Sequence, residues 1–126
     1  MSDLSTQIKM ILDDFGDRVA DAVNNETDKA IKELVDETKK TAPVGKRKGV
    51  YKRAISSKKI KAVRGKTYSQ LWYVKAPEHR LTHLLNFGHE TRNGGRVDGT
   101  GFLSHAVDKV TKNYIEGIEE AIENVE

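Results

Sequence analysis

Four histidines are the residues whose type and spacing come nearest to a metal site. His79 and His83 are four apart, so a helix would place both on one face, where they could bind zinc with His89 as a third ligand. The fourth, His105, lies further along the chain. Arg80 stands where the zinc-protease motif requires a glutamate. The sequence therefore predicts no metal site and no cofactor. A histidine-metal protein remains an alternative interpretation.

Other catalytic patterns are incomplete. Residues 64–67 read Arg-Gly-Lys-Thr and resemble the end of a phosphate-binding loop, but Ile60 stands where that loop requires its first glycine. No segment matches the Gly-x-Ser-x-Gly turn of serine hydrolases. A chain without cysteine has no disulfide, no thiolate metal site and no cysteine nucleophile. The sequence therefore predicts that the protein is not an enzyme.

Charge is distributed very unevenly along the chain. Residues 1–37 hold 4 basic and 10 acidic side chains, a net charge of −6. Residues 38–77, called here the basic segment, hold 13 basic side chains and none that is acidic. Residues 78–126 hold 5 and 9, a net charge of −4. This separation indicates either a counter-charged partner or internal pairing between the basic segment and its flanks.

The basic segment supplies most of the candidate interaction residues. Aromatic side chains lie in or beside it, as in many nucleic-acid-binding proteins, but no recognition helix or RNA-binding signature accompanies them. A small nucleic-acid-binding protein is therefore an alternative to a contact with an acidic protein surface or a solvated lysine face. The candidates, three of them from a later glycine-rich segment, are Lys46, Arg47, Lys48, Lys52, Arg53, Lys58, Lys59, Lys61, Arg92, Asn93 and Arg96.

Hydrophobic periodicity predicts an α+β fold in a single domain, residues 1–126. Apolar residues spaced by four and three predict a helix over residues 1–41, which could kink or split near Asn24. A second amphipathic helix is predicted over residues 104–125, with Ser104 as its cap. The predicted core, packed over a central hairpin, is Leu4, Ile8, Ile11, Phe15, Leu34, Leu81, Leu84, Leu85, Val107, Val110, Tyr114 and Ile118.

Strand-like alternation separates the two long helices. Residues 50–75 are predicted to form a basic antiparallel β-hairpin with strand character from Tyr51 onward, in which Trp72 and Val74 share one face and Leu71 and Tyr73 share the other. A short Leu-rich helix is predicted over residues 79–87.

Residues 88–101 hold five of the ten glycines and are predicted to be a flexible loop. The loop is interpreted as an arm that orders against a neighbour, with Arg92 and Arg96 as anchors. The alternative is a local hairpin around Asn93-Gly94, the dipeptide preferred in type I′ turns. No apolar run approaches the ~18 residues of a membrane span, so we expect a soluble protein made inside a cell, without membrane contact.

The residues from His79 to Val97, HRLTHLLNFGHETRNGGRV, resemble the gene-product-ten-like tail-completion or neck proteins of long-tailed bacteriophages and prophages. Three further features match in the same order along the chain: Ala42-Pro43 after the first helix, Gly49-Val50-Tyr51 before the basic strand, and Ala76-Pro77 before the Leu-rich helix. The resemblance therefore covers most of the chain. One departure is that residues 101–106 replace the proline-containing segment that many members have before the last helix.

The resemblance implies a minor structural protein of the virion that completes the tail or connects head and tail. It would assemble in the host cytoplasm, reside in the neck or tail near packaged DNA, and form a ring with copies of itself beside head-completion and tail proteins. A ring requires head-to-tail contacts that close. An acidic flank of one subunit facing the basic hairpin of the next is predicted to supply such a contact.

Overall fold

A computed structural model of the protein describes residues 4–43, 49–61 and 66–125. It confirms the predicted α+β class, with most residues in helices. The elements in chain order are α1 (Leu4–Thr41), α2 (Val50–Ala54), β1 (Ile55–Lys61), β2 (Tyr68–Val74), a 3₁₀ helix (Glu78–Leu81), α3 (Thr82–Phe87), β3 (Gly88–Glu90), β4 (Arg96–Asp98) and α4 (Phe102–Glu123). None of the helices in these described ranges is long and apolar enough to cross a membrane.

The first helix, α1, runs through 38 residues without a break. The predicted kink near Asn24 does not occur, because this side chain bonds to the hairpin and leaves the backbone of its own helix undisturbed. Its Nδ2 donates to the Lys66 carbonyl at 3.0 Å, and its Oδ1 accepts from the Tyr68 amide at 3.2 Å. Asn24 therefore joins α1 to the start of β2.

The last helix, α4, packs antiparallel to the C-terminal half of α1. The Tyr114 hydroxyl lies 2.7 Å from Thr27 Oγ1, and nearer the start of α4 the Lys109 ammonium lies 3.4 Å from the Glu37 carboxylate. Further along α4, Gly117 faces Glu26, whose carboxylate occupies the space that a Cβ would need. The glycine therefore allows the two helices to approach closely.

The basic hairpin pairs β1 with β2 antiparallel, from Ile55 opposite Val74 to Lys61 opposite Tyr68. The structure differs from the predicted strand before this point, since residues 50–54 form the single helical turn α2. Gly49 begins that turn with φ 82°, a left-handed conformation that glycine adopts readily. The turn buries Tyr51, which packs edge-to-face against Phe102 with ring centroids 6.0 Å apart.

The core lies at the C-terminal end of α1, where α2, the hairpin and the start of α4 meet. Its fully buried members are Ala42, Tyr51, Ala54, Ile55, Val74 and Phe102, with Leu81 and Leu85 among the half-buried residues around it. Val110 is buried as predicted, and Leu34, Tyr114 and Ile118 are half-buried.

Six of the predicted core residues are exposed, and the prediction is wrong for them. They are Leu4, Ile8, Ile11, Phe15, Leu84 and Val107. For the four residues on α1 the physical reason is their position along the helix. α4 is antiparallel to α1 and ends before it reaches the first turns of that helix, so no described element lies beside the apolar stripe there.

The segment 88–101, predicted as a loop, contains the short antiparallel pair β3–β4. Its turn is closed by the Thr91 amide donating to the Gly95 carbonyl at 2.8 Å and the Gly94 amide donating to the Thr91 carbonyl at 3.2 Å. Gly94 has φ 79°. This is the three-residue loop with a glycine bulge and not the two-residue type I′ turn that Asn93-Gly94 suggested.

The first turn of α4 is capped by a residue from α3. The helix begins at Phe102, two residues before the predicted cap Ser104, and Gly101 at its N-cap has no side chain to offer. The buried Asn86 supplies the acceptor: its Oδ1 receives the amides of Leu103 at 3.0 Å and Ser104 at 3.1 Å. Its Nδ2 donates to Ser104 Oγ at 2.8 Å. Asn86 therefore joins α3 to α4.

Candidate interaction surfaces

The β1–β2 hairpin has an inner face directed at α1 and an outer face directed away from it. Antiparallel pairing alternates the two faces along each strand. The inner face carries Ser57 opposite Trp72, Lys59 opposite Gln70 and Lys61 opposite Tyr68. The outer face carries Ser56 opposite Tyr73, Lys58 opposite Leu71 and Ile60 opposite Ser69. The predicted separation of Trp72 and Val74 from Leu71 and Tyr73 is confirmed.

Asp28 of α1 binds the inner face through two hydrogen bonds. The Tyr68 hydroxyl donates to its Oδ2 and the Gln70 amide donates to its Oδ1, each at 2.7 Å. The Tyr68 bond lowers the pKa of the Asp28 carboxyl below 3.8; partial burial opposes this change, and Gln70 and the charge of Lys59 add to it. The Lys59 ammonium lies 4.0 Å from the centre of the Tyr68 ring, a cation–π contact. Lys59 is thus used within the chain.

A second internal contact lies where the hairpin approaches the middle of α1. The Lys66 ammonium pairs with the Asp17 carboxylate, and this hydrogen bond raises the pKa of the lysine above 10.5. Deeper in the fold, Trp72 Nε1 donates to the buried Thr38 hydroxyl at 2.9 Å. Part of the basic segment is therefore paired with the acidic flank of its own chain, which is one of the two arrangements that the charge distribution indicated.

The outer face combines apolar and basic side chains. Ile60 and Leu71 are 46% and 40% exposed, and Tyr73 is half-buried beside them. The Lys58 ammonium lies 5.5 Å from the centre of the Tyr73 ring. We call Lys58, Ile60, Leu71 and Tyr73 the outer patch. On a single chain this surface faces solvent.

The first fifteen residues of α1 that the structure describes, Leu4–Arg18, form a helical arm in which every side chain is exposed. One stripe of the arm is apolar, with exposed fractions of 70% for Leu4, 67% for Ile11 and 43% for Phe15. Ile8 lies within the stripe and Leu12 beside it. Large apolar side chains exposed side by side mark an interaction surface. Sequence reasoning recognised this stripe but assigned it to the core.

The second group of candidates lies on the β3–β4 hairpin. Arg96 is held locally: one of its guanidinium nitrogens donates to the Phe87 carbonyl at 2.9 Å, and its Nε lies 3.7 Å from Asp98. Arg92 and Asn93 lie exposed in the turn. This group is on a different sheet from Lys58, Lys59 and Lys61.

The remaining candidates lie before the hairpin. Lys52 is half-buried and Arg53 is exposed, both on α2. Lys46, Arg47 and Lys48 lie outside the described residues. The contact of any of these side chains with a partner stays a prediction.

The histidines have different surroundings in the fold. His83 packs against the Phe87 ring with centroids 4.9 Å apart, and the His105 ring lies against Gly101 at the start of α4. His89 is half-buried on β3. Across residues 4–43, 49–61 and 66–125, no three His, Asp or Glu side chains are grouped so that they could hold a metal ion.

The family model of "Bacteriophage HK97-gp10, putative tail-component" matches residues 7–88, which is more than half of the chain. The chain belongs to this family. The predicted family is thereby confirmed. A comparison with curated proteins found no match, and neither did a comparison with solved structures.

The match to the HK97-gp10-like family begins inside the arm of α1 and ends at Gly88, the first residue of β3. It contains most of the apolar stripe, the whole β1–β2 hairpin and α3. The β3–β4 turn and α4 lie beyond it. Both surfaces described above, the arm and the outer patch, therefore belong to the part of the chain that the family shares.

Membership in the HK97-gp10-like family makes the protein a bacteriophage tail component, located in the virion. Interaction with other structural proteins of the particle follows from that location. The arm of α1 and the outer patch are two of the surfaces on which this family member exposes apolar side chains; Phe87, Val97 and Ile115 are exposed elsewhere.

Proposed function

We propose that this HK97-gp10-like protein completes the tail or joins it to the head, and that it acts by ring-type contacts without catalysing a reaction. The ring consists of copies of this chain. Its two faces contact a head-completion protein on one side and a tail protein on the other. Assembly takes place in the host cytoplasm, before or while the filled head meets the tail.

The observation that carries this proposal is the uncovered apolar stripe on the arm of α1. Five large apolar side chains, Leu4, Ile8, Ile11, Leu12 and Phe15, are between 43% and 70% exposed. Exposed apolar area of this kind is unfavourable in water, and the hydrophobic effect favours its burial by another surface. A protein that works as a joint between larger parts needs such surfaces before it is incorporated.

The charge distribution supports contacts of fixed orientation. Lys58 and Lys61 are exposed on β1, whereas Asp13 and Asp14 are exposed on the arm. Opposite charges at separate places on one molecule allow a head-to-tail arrangement, in which the acidic place of one copy faces the basic place of the next. DNA passes through the neck, so lysines that line its channel would lie near phosphates. Replacing these lysines by glutamate therefore tests protein contact and DNA contact together.

The test of the function is to delete the gene from the phage or prophage that encodes this chain and to examine lysates by electron microscopy. We expect filled heads and finished tails that are not joined, and restoration of joined particles when the gene is supplied from a plasmid. Normal virions after deletion would contradict the proposal. Absent tails, or tails of altered length, would also contradict it and would assign the protein to tail-tube assembly.

A charge-reversal variant then separates protein contact from DNA contact. Lys58→Glu with Lys61→Glu is the suitable pair, because Lys59 is already engaged with Tyr68 inside the chain. Loss of head–tail joining would assign these lysines to protein contact. Joined particles that lose their DNA would place them at the channel. Met10→Glu is a control for an added acidic side chain at an exposed position outside the apolar stripe, with a change of one charge unit against four for the two reversed lysines.

A further inference from the structure

We propose that the arm of α1 in one copy docks on the outer patch of the β1–β2 hairpin in a second copy. This inference rests on the proposed ring and names the two surfaces that meet. The patch offers Ile60, Leu71 and Tyr73 as apolar contacts, with Lys58 among them. The arm offers its apolar stripe.

The arm has the pattern of a helix that packs along one seam. Leu4, Ile8, Ile11 and Phe15 are separated by four, three and four residues, so their side chains line up on one side of the helix. The stripe is about 16 Å long at 1.5 Å per residue. A seam of this kind fits against a flat apolar surface or into a groove.

The described remainder of the same chain does not cover the arm. Gly117 of α4 lies opposite Glu26 of α1, and α4 ends six residues later at Glu123. Because the helices are antiparallel, α4 ends beside roughly the twentieth residue of α1. Near the middle of α1, Lys66 of the hairpin pairs with Asp17, and Lys66 and Thr67 line a pocket with Leu12 and Asp13. The stripe residues Leu4, Ile8, Ile11 and Phe15 do not line this pocket and are exposed.

The outer patch is equally out of reach of its own arm. The inner face of the hairpin is bound to α1 through Asp28 and Thr38, so the outer face points away from that helix. The arm continues α1 as one unbroken helix and cannot fold back around the hairpin. A contact between these two surfaces therefore joins two copies.

Charge favours this pairing over contact between two arms. Near its C-terminal end the arm exposes Asp13 and Asp14, while Asp17 is already paired with Lys66 of its own chain. Two arms side by side would bring two such acidic stretches together. Residues 55–75 hold six basic side chains and no acidic one, so an arm on the hairpin meets the opposite charge. In the proposed ring the contact is head-to-tail, so a pair leaves one arm and one patch free and the contact continues to further copies.

Two single substitutions and one control test the docking in solution. Ile11→Ser removes the centre of the stripe, and Leu71→Ser removes the centre of the patch; Met10→Ser changes an arm residue outside the stripe whose exposed fraction, 65%, matches the 67% of Ile11. All three residues are exposed, so the fold of the single chain is retained. We expect self-association, measured by analytical ultracentrifugation, to weaken by about tenfold or more for Ile11→Ser and Leu71→Ser. Met10→Ser should associate as the wild type does.

Mixing the two defective variants provides the decisive measurement. Leu71→Ser retains an intact arm and Ile11→Ser an intact patch, so a mixture should form one-to-one pairs and stop there. Arm-to-arm contact predicts instead that Leu71→Ser associates normally alone and that mixing restores nothing, which would overturn the proposal. Association unchanged in both variants would overturn it as well.

Cross-linking in assembled particles covers the case in which copies meet only inside the virion. Because the natural chain has no cysteine, the double variant Ile11→Cys, Leu71→Cys carries the only two thiols. A short bismaleimide should link it into dimers and longer multimers, whereas the control pair Met10→Cys, Leu71→Cys should remain single. Joined particles that give no multimers would refute the docking while leaving the proposed function intact. Intact virions after gene deletion would refute the function itself.

Discussion

Replacing Asn86 by alanine tests whether one side chain holds the start of α4. The Asn86 carboxamide makes three hydrogen bonds, to the amides of Leu103 and Ser104 and to the Ser104 hydroxyl, and the residue is only 5% exposed. Its oxygen accepts hydrogen bonds from the first amides of α4, as an N-cap side chain does in other helices. Such a cap contributes about 1 kcal/mol to the free energy of unfolding. Removal also leaves partly buried donors unsatisfied, which costs about 1–3 kcal/mol.

We therefore expect Asn86→Ala to lower the free energy of unfolding by about 2–3 kcal/mol, measured by urea denaturation followed by circular dichroism. The thermal midpoint should fall by about 10 °C. Ser104→Ala is the matched comparison, because it removes only the hydroxyl bond and leaves both amide bonds to Asn86 in place. Its expected loss is about 1 kcal/mol.

Two results would refute this reasoning. A loss below about 0.5 kcal/mol for Asn86→Ala would mean that water satisfies the amides as well as the carboxamide does. An equal loss for Asn86→Ala and Ser104→Ala would mean that the hydroxyl bond, and not the cap, carries the stabilisation.

Three further changes have outcomes set by the structure. Thr38→Val keeps the shape of a fully buried residue but removes the acceptor of the Trp72 indole, so urea denaturation should show a loss of about 1–3 kcal/mol. Asp28→Asn should remove an acid-dependent part of stability: the bond from Tyr68 lowers the pKa of Asp28 below 3.8, so its contribution is present above about pH 4 and is lost as pH falls through the folded-state pKa. Gly99→Ala should lower the thermal midpoint, with a cost of about 1–3 kcal/mol, because a Cβ there would collide with the backbone of α3.

Each of these has a control or a contrary result. Thr38→Ser keeps the hydroxyl and should retain the indole bond, at the smaller cost of one methyl group. A difference in stability between wild type and Asp28→Asn that stays constant from pH 7 to pH 3 would contradict the linkage argument. Gly16→Ala, in the exposed arm where no atom lies within 4 Å of the new Cβ, should stabilise α1 by about 0.5–1 kcal/mol.

The sequence predicted only part of the candidate interaction surfaces. The alternating pattern of the basic strand predicted that Lys58 and Lys61 lie on the hairpin, where both are exposed. That Lys59 and Lys66 are engaged within the chain depends on Asp28 and Asp17, residues more than thirty positions away. A charge pattern shows that opposite signs exist, whereas pairing requires the fold to bring them together.

The sequence by itself determined the features that are properties of single segments. Periodicity placed the long helix up to Thr41, alternation separated Trp72 from Leu71 on β2, and the motifs identified the family. Only the tertiary structure decided which apolar stripe is covered. Phe102, which precedes the helix predicted over residues 104–125, is core, whereas Phe15, in the predicted apolar stripe of the first helix, is exposed. Periodicity defines an apolar face, but burial requires another segment beside that face, and at the arm of α1 the described chain provides none.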